Sequence, residues 1–393
     1  MRSLVLLAFL SATSLSAATP DAVAMRAVRG DVTAIGDLRA EGQQGVNRLV
    51  ALKVTVPPAA YRTAIDRVCR QRDCAWSELY WYTDLNAAKY AARTQHRPIL
   101  SLRLLGNLDD DMSCANSRYF RTILYSNREI ADYLRANFIL HWSSERPVPK
   151  VTIDFGDGRV LQRTLTGNSV HYLLDENGEP LDALPGLYAP AAFLANVRDM
   201  RNLYDDVQTW TPGERVGHLQ LYHMGRVRFA TRGDKVSRLL SPATAWDAAP
   251  RAGVKGMAEI PILTKVSFGT SAARLLERVA NVTKDESELT KLDKNSLSLI
   301  RAKHGSGGDL NAALDALRGM LAADTLRNEY ELRTQIHRFF SEMEKPAFAD
   351  LNAFVYSTVF LTPRGDEWLG LVPRDTFTAI EGEGIVVADT MRK

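Results

Sequence analysis

Cys114 follows the acidic run Asp109-Asp110-Asp111 and Met112-Ser113, and stands just before a stretch with helical periodicity. A thiol at a helix entrance meets unpaired peptide N–H groups, which favour its ionised and nucleophilic form. Three neighbouring carboxylates oppose that ionisation if they lie close in space, so the sequence leaves the sign of the effect open. Three positions on stands Ser117, giving Cys-x-x-Ser. Such a thiol can form a mixed disulfide or a sulfenic acid, but a hydroxyl cannot resolve it, so turnover requires an outside thiol. Ser169 immediately precedes the run Val170 to Leu174, His171 lies two positions after it, and strand alternation puts the two on one face. There His171 is a candidate base or soft-metal ligand, or simply a hydrogen-bonded strand histidine.

The elements needed to position these groups can be read around them. Pro98 to Leu105 has the apolar run of an inner strand, Tyr119 to Ala136 has helical spacing, and Phe138 to Trp142 is a second apolar run. Strand, polar turn, helix and strand make a βαβ unit with Cys114 where the loop enters the helix. Nine residues after Ser117 comes Ser126-Asn127-Arg128-Glu129-Ile130, and further on Gly167-Asn168-Ser169 leads a strand into Asp175-Glu176-Asn177-Gly178. In order and content, roughly residues 80–200 resemble the thioredoxin-like superfamily. The resemblance implies a central mixed sheet flanked by helices, with Cys114 at the attacking-thiol position and Ser117 at the resolving position. It places Ser169 where the family has a cis-proline, and so implies that His171 can pair with Cys114 as base or soft-metal co-ligand. A cis bond before a non-proline residue costs ~2.5–4 kcal/mol, so a trans bond is expected there. Ser113 replaces the tryptophan usual before the first cysteine. These departures argue against an ordinary dithiol oxidoreductase.

Arg2, the apolar run Leu4 to Leu10 and the small-residue site Ser16-Ala17-Ala18 read as a secretory signal over residues 1–18, which sends the product to a periplasm or beyond. Three cysteines in an exported chain leave one over after pairing. Cys69 and Cys74 can close a small disulfide loop in an oxidising compartment, whereas a metal role for them lacks a second Cys or His pair. Cys114 is then the odd thiol. A formal charge of +3 and no basic stripe interleaved with aromatics argue against nucleic acid. No run after the signal reaches the ~20 apolar residues that span a bilayer.

The chain divides into the signal, an N-terminal cap region at 19–79, the thioredoxin-like domain at 80–205, a linker or irregular region at 206–262, and a mainly helical domain at 263–393. Within the cap, Val50, Leu52, Val54 and Val56 alternate as a half-buried strand before a helix over Ala59 to Arg70. An inserted β-hairpin over Val151–Phe155 and Arg159–Leu165 turns at Gly156-Asp157-Gly158. The fold class is therefore an α/β thioredoxin-like domain, with an inserted hairpin, plus a mainly α-helical C-terminal domain. No cofactor and no metal site are assigned. Two functions fit: a monothiol oxidoreductase or thiol-adduct sensor acting through Cys114, and a redox-inactive scaffold binding a protein or peptide partner.

Overall fold

The computed structural model describes residues 21–164, 167–232, 290–304 and 309–360. The signal segment, the helix expected at Ala272–Val282, the capping box at Thr283–Glu286, the glycosylation-type triplet at Asn281 and the tail around Trp368 lie outside them.

Four short helices, α1 (Ala22–Val28), α2 (Val32–Ala40), α3 (Gln43–Val50) and α4 (Pro58–Cys69), open the chain. Aspartates set two of their starts. Asp21 accepts from the amides of Val23 and Ala24 at 3.0 Å, and Asp31 from that of Ala34 at 3.1 Å, satisfying N–H groups that a helix leaves unpaired. Pro58 begins α4, where its missing N–H costs nothing. Leu38, Leu49, Ile65 and Val68 fill a core that belongs to these helices. The strand expected over Val50–Val56 is absent. Val46, Leu49 and Leu52 follow helical spacing into that core, the Leu52 amide bonds the Leu49 carbonyl at 2.9 Å, and Val54 is 91% exposed. The alternation of valines reflects a helix end and a turn, not a pleat.

Where α2 and α3 meet, Gly45 lets the two backbones touch: a Cβ there would stand 1.9 Å from the Leu38 carbonyl oxygen. Gly45→Ala must push the helices apart. It is expected to cost about 1–3 kcal/mol despite alanine's better helix propensity, and a denaturant titration checks this. A gain in stability would refute the close approach.

Cys69 and Cys74 are joined in a disulfide across a Cα separation of 6.3 Å, as cysteine parity implies. Cys74 opens the single turn α5 (Cys74–Ser77). Behind it, Tyr82 borders the sheet, donating its amide to the Leu140 carbonyl at 2.8 Å and accepting from the Trp142 amide at 3.0 Å. Helix α6 (Leu85–Gln95) follows, with Asp84 accepting from the Ala87 amide at 2.7 Å.

The sheet is mixed. Strand β1 (Ile99–Leu105) lies between β2 (Ile139–Arg146), parallel to it, and β5 (Ser169–Leu174), antiparallel; β6 (Pro180–Pro185) extends the other side of β5 in antiparallel register. Leu102 faces Trp142 on one side and His171 on the other, and Leu104 faces Ser169. The inserted hairpin forms as expected from β3 (Lys150–Asp154) and β4 (Val160–Thr164), a separate two-stranded sheet.

The single helix expected over Tyr119–Ala136 is broken. Helix α7 (Ala115–Tyr119) runs into a π-helical turn at Phe120–Leu124, and α8 (Arg128–Asn137) starts anew. The break lies at Ser126-Asn127, where the Asn127 side chain accepts from the Ile130 amide at 3.2 Å and so caps a new helix. After β6 come α9 (Pro190–Thr209) and α10 (Pro212–Arg232). The second corrects the irregular region expected from 206. Thr211-Pro212-Gly213-Glu214 is a helix start, with the Glu214 carboxylate reaching back to the Thr211 amide at 3.0 Å.

Helices α11 (Lys294–His304), α12 (Leu310–Arg327), α13 (Arg333–Glu342) and α14 (Phe348–Phe354, continued by a π-helical turn at Val355–Val359) complete the described chain. They share the core of the sheet: Leu321, Ile336, Leu351 and Val355 belong to one apolar cluster with Leu173 and Leu181.

Candidate functional site

Cys114 is the residue immediately before α7, and its carbonyl accepts the Arg118 amide at 3.1 Å. Its placement at a helix entrance is as expected. Its accessibility is not: Cys114 and Ser117 are both 0% exposed. The Cys-x-x-Ser segment turns inward because Cys114 and Tyr119 join the apolar cluster of the sheet and the C-terminal helices. The Ser117 hydroxyl is enclosed with no hydrogen-bond partner among the described residues. From the C-terminal side, the phenol of Tyr356 is fully enclosed. Burial pushes its pKa well above the usual value, and Tyr172, Glu145 and Cys114 act in the same direction from nearby. Tyr172 in turn donates to Asn352 at 3.1 Å, whose amide donates to Glu145 at 3.0 Å. The last described helix and the sheet are thus stitched together beside Cys114.

The acidic run upstream is neutralised by cations. Asp109 pairs with Arg70 at 3.3 Å, Asp110 with Lys150 at 3.9 Å, and Asp111 with Arg72 at 3.1 Å. The carboxylates therefore pin the Cys114 loop to α4 and the hairpin. Buried Arg121 reinforces the same loop, reaching Asp73 at 3.1 Å and donating to the Ser113 hydroxyl at 3.3 Å.

Ser169 does approach the Cys114 segment, since its hydroxyl accepts from the Asn116 side chain at 2.8 Å. The peptide before it is trans, because no described bond is cis. His171 is engaged elsewhere. Its Nε2 lies 2.7 Å from the Tyr125 hydroxyl, its ring is edge-on to Phe120 and Phe193, and burial takes its pKa down to about 3. Held neutral by that apolar cage, it is a packing and hydrogen-bonding residue in this state. His141, on β2, bonds Ser101 at 2.8 Å and is likewise interior.

A polar cluster that the sequence reading passed over lies at the opposite edge of the sheet. Asp182 of β6 and Arg333 of α13, both 0% exposed, pair at 2.7 Å. Burial alone would push the carboxyl of Asp182 up, but Arg333, with His337 and His223, holds it well below the usual carboxylate range. His223 of α10 lies with its Nδ1 2.8 Å from Nδ1 of His337 and its Nε2 3.0 Å from the Leu181 carbonyl. Burial lowers His337 well below its ordinary value and takes His223 down to about 4. Asp182, His223 and His337 place one donor atom each within 4.8 Å of one another, the only group of that kind found among the described residues. The one sequence signal was a lone acid inside Pro180–Pro185, since its partners are 41 and 151 or more residues away.

No described helix is long and apolar enough to cross a membrane. No protein-family model matches the chain, and no curated protein or solved structure matches it at a significant level.

Proposed function

We propose that this chain is an exported thioredoxin-like scaffold, redox-inactive in its folded state, that presents its surface to a protein or peptide partner. The observation that carries the reading is the complete enclosure of Cys114 beside a serine that cannot resolve a disulfide. A thiol that an outside disulfide cannot approach does not exchange, whatever its intrinsic nucleophilicity. The thioredoxin-like assignment rests on the order of elements: a strand, a cysteine at the helix entrance, a parallel strand, then an antiparallel pair beginning at Ser169, then a closing helix. Export draws support from the Cys69–Cys74 disulfide, a bond that persists in oxidising compartments.

Alkylation of the mature protein tests the reading. Cys114 is expected to react at least ~100-fold more slowly in the native state than in denaturant, because reaction waits on an opening of that free-energy scale. Rapid native alkylation together with a stable mixed disulfide to a small thiol would instead establish the monothiol function.

A further inference from the structure

We propose that Asp182, His223 and His337 bind one transition-metal dication of the zinc class, tying β6, α10 and α13 together. The donor set is two imidazoles and one carboxylate from three separate elements, all buried. Nitrogen-rich sets of this kind suit zinc, iron(II), cobalt or nickel, whereas calcium and magnesium take oxygen ligands.

The hydrogen bonding around the histidines prepares such a site. His223 Nε2–H donates to the Leu181 carbonyl at 3.0 Å, which fixes the tautomer and turns the Nδ1 lone pair toward the cluster. Metal-bound histidines are oriented by this kind of outer bond. The Nδ1 of His337 faces that lone pair at 2.8 Å, so without a metal one proton must lie between the two rings. A dication takes the place of that proton once His337 carries its own on Nε2. Metal–nitrogen bonds of about 2.0–2.1 Å set tetrahedral ligand atoms roughly 3.3–3.4 Å apart, so the rings need to spread by only about half an ångström. Asp182 Oδ1 stands 3.8 Å from His337 Nδ1 and is already oriented by the Ala183 amide at 2.7 Å. Arg333, the competing cation, occupies the other oxygen, Oδ2. Deep burial makes the role structural. The site does not involve Cys114, so it stands independently of the scaffold reading.

Metal analysis of the full chain decides the matter. After loading with zinc and exhaustive dialysis, about one equivalent per chain is expected, with a melting temperature that falls on chelation and returns with zinc. His223→Gln and His337→Gln should each weaken retention at least ~10-fold. Because either variant could also disturb the core, cobalt(II) loading of the unaltered chain supplies a second readout, and ligand-field absorption of a nitrogen-ligated site is expected. Wild-type protein that keeps no stoichiometric zinc, cobalt or nickel and melts at the same temperature with and without them would overturn the proposal. So would full retention in both histidine variants, which would put the metal elsewhere.

Discussion

Replacing Arg333 with methionine is expected to destabilise the protein by about 3–5 kcal/mol, a loss readable as a lowered midpoint in chemical denaturation. The size follows from what is left behind. Arg333 donates to Asp182 at 2.7 Å and also to Asn196, and its whole side chain is enclosed. Without it, Asp182 remains as a buried carboxylate deprived of the strongest charge that holds it ionised, and burial strongly disfavours that charge. The pair as a whole is worth far less than this, because desolvating two charges offsets most of their attraction. Arg333→Met combined with Asp182→Leu, measured in metal-free buffer, should therefore recover much of the loss. A single variant that costs under about 1 kcal/mol, the scale of a solvated pair, would show that water or another cation reaches Asp182. The ion pair would then not clamp α13 to β6.

That clamp illustrates why the sequence disclosed one half of the molecule better than the other. Around Cys114 the cues are local: Pro98 before an apolar run, a helical stripe, Gly156-Asp157-Gly158 as a hairpin turn. Each acts within a few residues, and β1, β2, β5 and the hairpin formed as those cues imply. The cysteine pair could also be counted, since parity needs no geometry. What failed was accessibility. Cys114 is buried in one apolar cluster with Leu351, Val355 and Tyr356, more than 200 positions away, and no local pattern encodes that packing. The same holds for His171. Its alternation with Ser169 was legible, but its partner Tyr125 depended on where the preceding helix broke. The valines of 50–56 failed differently, because a period-two pattern over so few residues can arise from a helix end followed by a turn. The polar cluster was least legible of all. Asp182, His223, Arg333 and His337 come from four places in the chain, and only the tertiary fold gives them one environment.

Acidification from pH 7 to pH 4 is expected to cost the folded state roughly 3–4 kcal/mol through His141, His171 and Asp66, apart from the separate cluster at Asp182. Burial, helped by Arg103, lowers His141 to about 4, and burial lowers His171 to about 3. Both would hold protons near pH 6.5 when unfolded, so between 6.5 and 4 the unfolded chain binds protons that the native chain refuses. Stability therefore falls as pH falls through that window, by about 1.4 kcal/mol per unit for each histidine, or roughly 3 kcal/mol each by pH 4. Asp66 works the other way. Burial raises its carboxyl to about 6, so the native state binds its proton first and gains about 2–2.5 kcal/mol by pH 4. Two histidines outweigh one aspartate, and the net slope is a loss. His141→Asn keeps a polar atom near the Ser101 hydroxyl, which the imidazole Nδ1 meets at 2.8 Å, while removing the titration. That variant should show a shallower decline between pH 6.5 and 4, whereas Asp66→Asn, which retains an acceptor for the Cys74 amide, should show a steeper one. Equilibrium denaturation at half-unit pH steps would measure both. A wild-type curve that is flat or rises toward pH 4 would mean that the two imidazoles protonate in place and that their cages open to water.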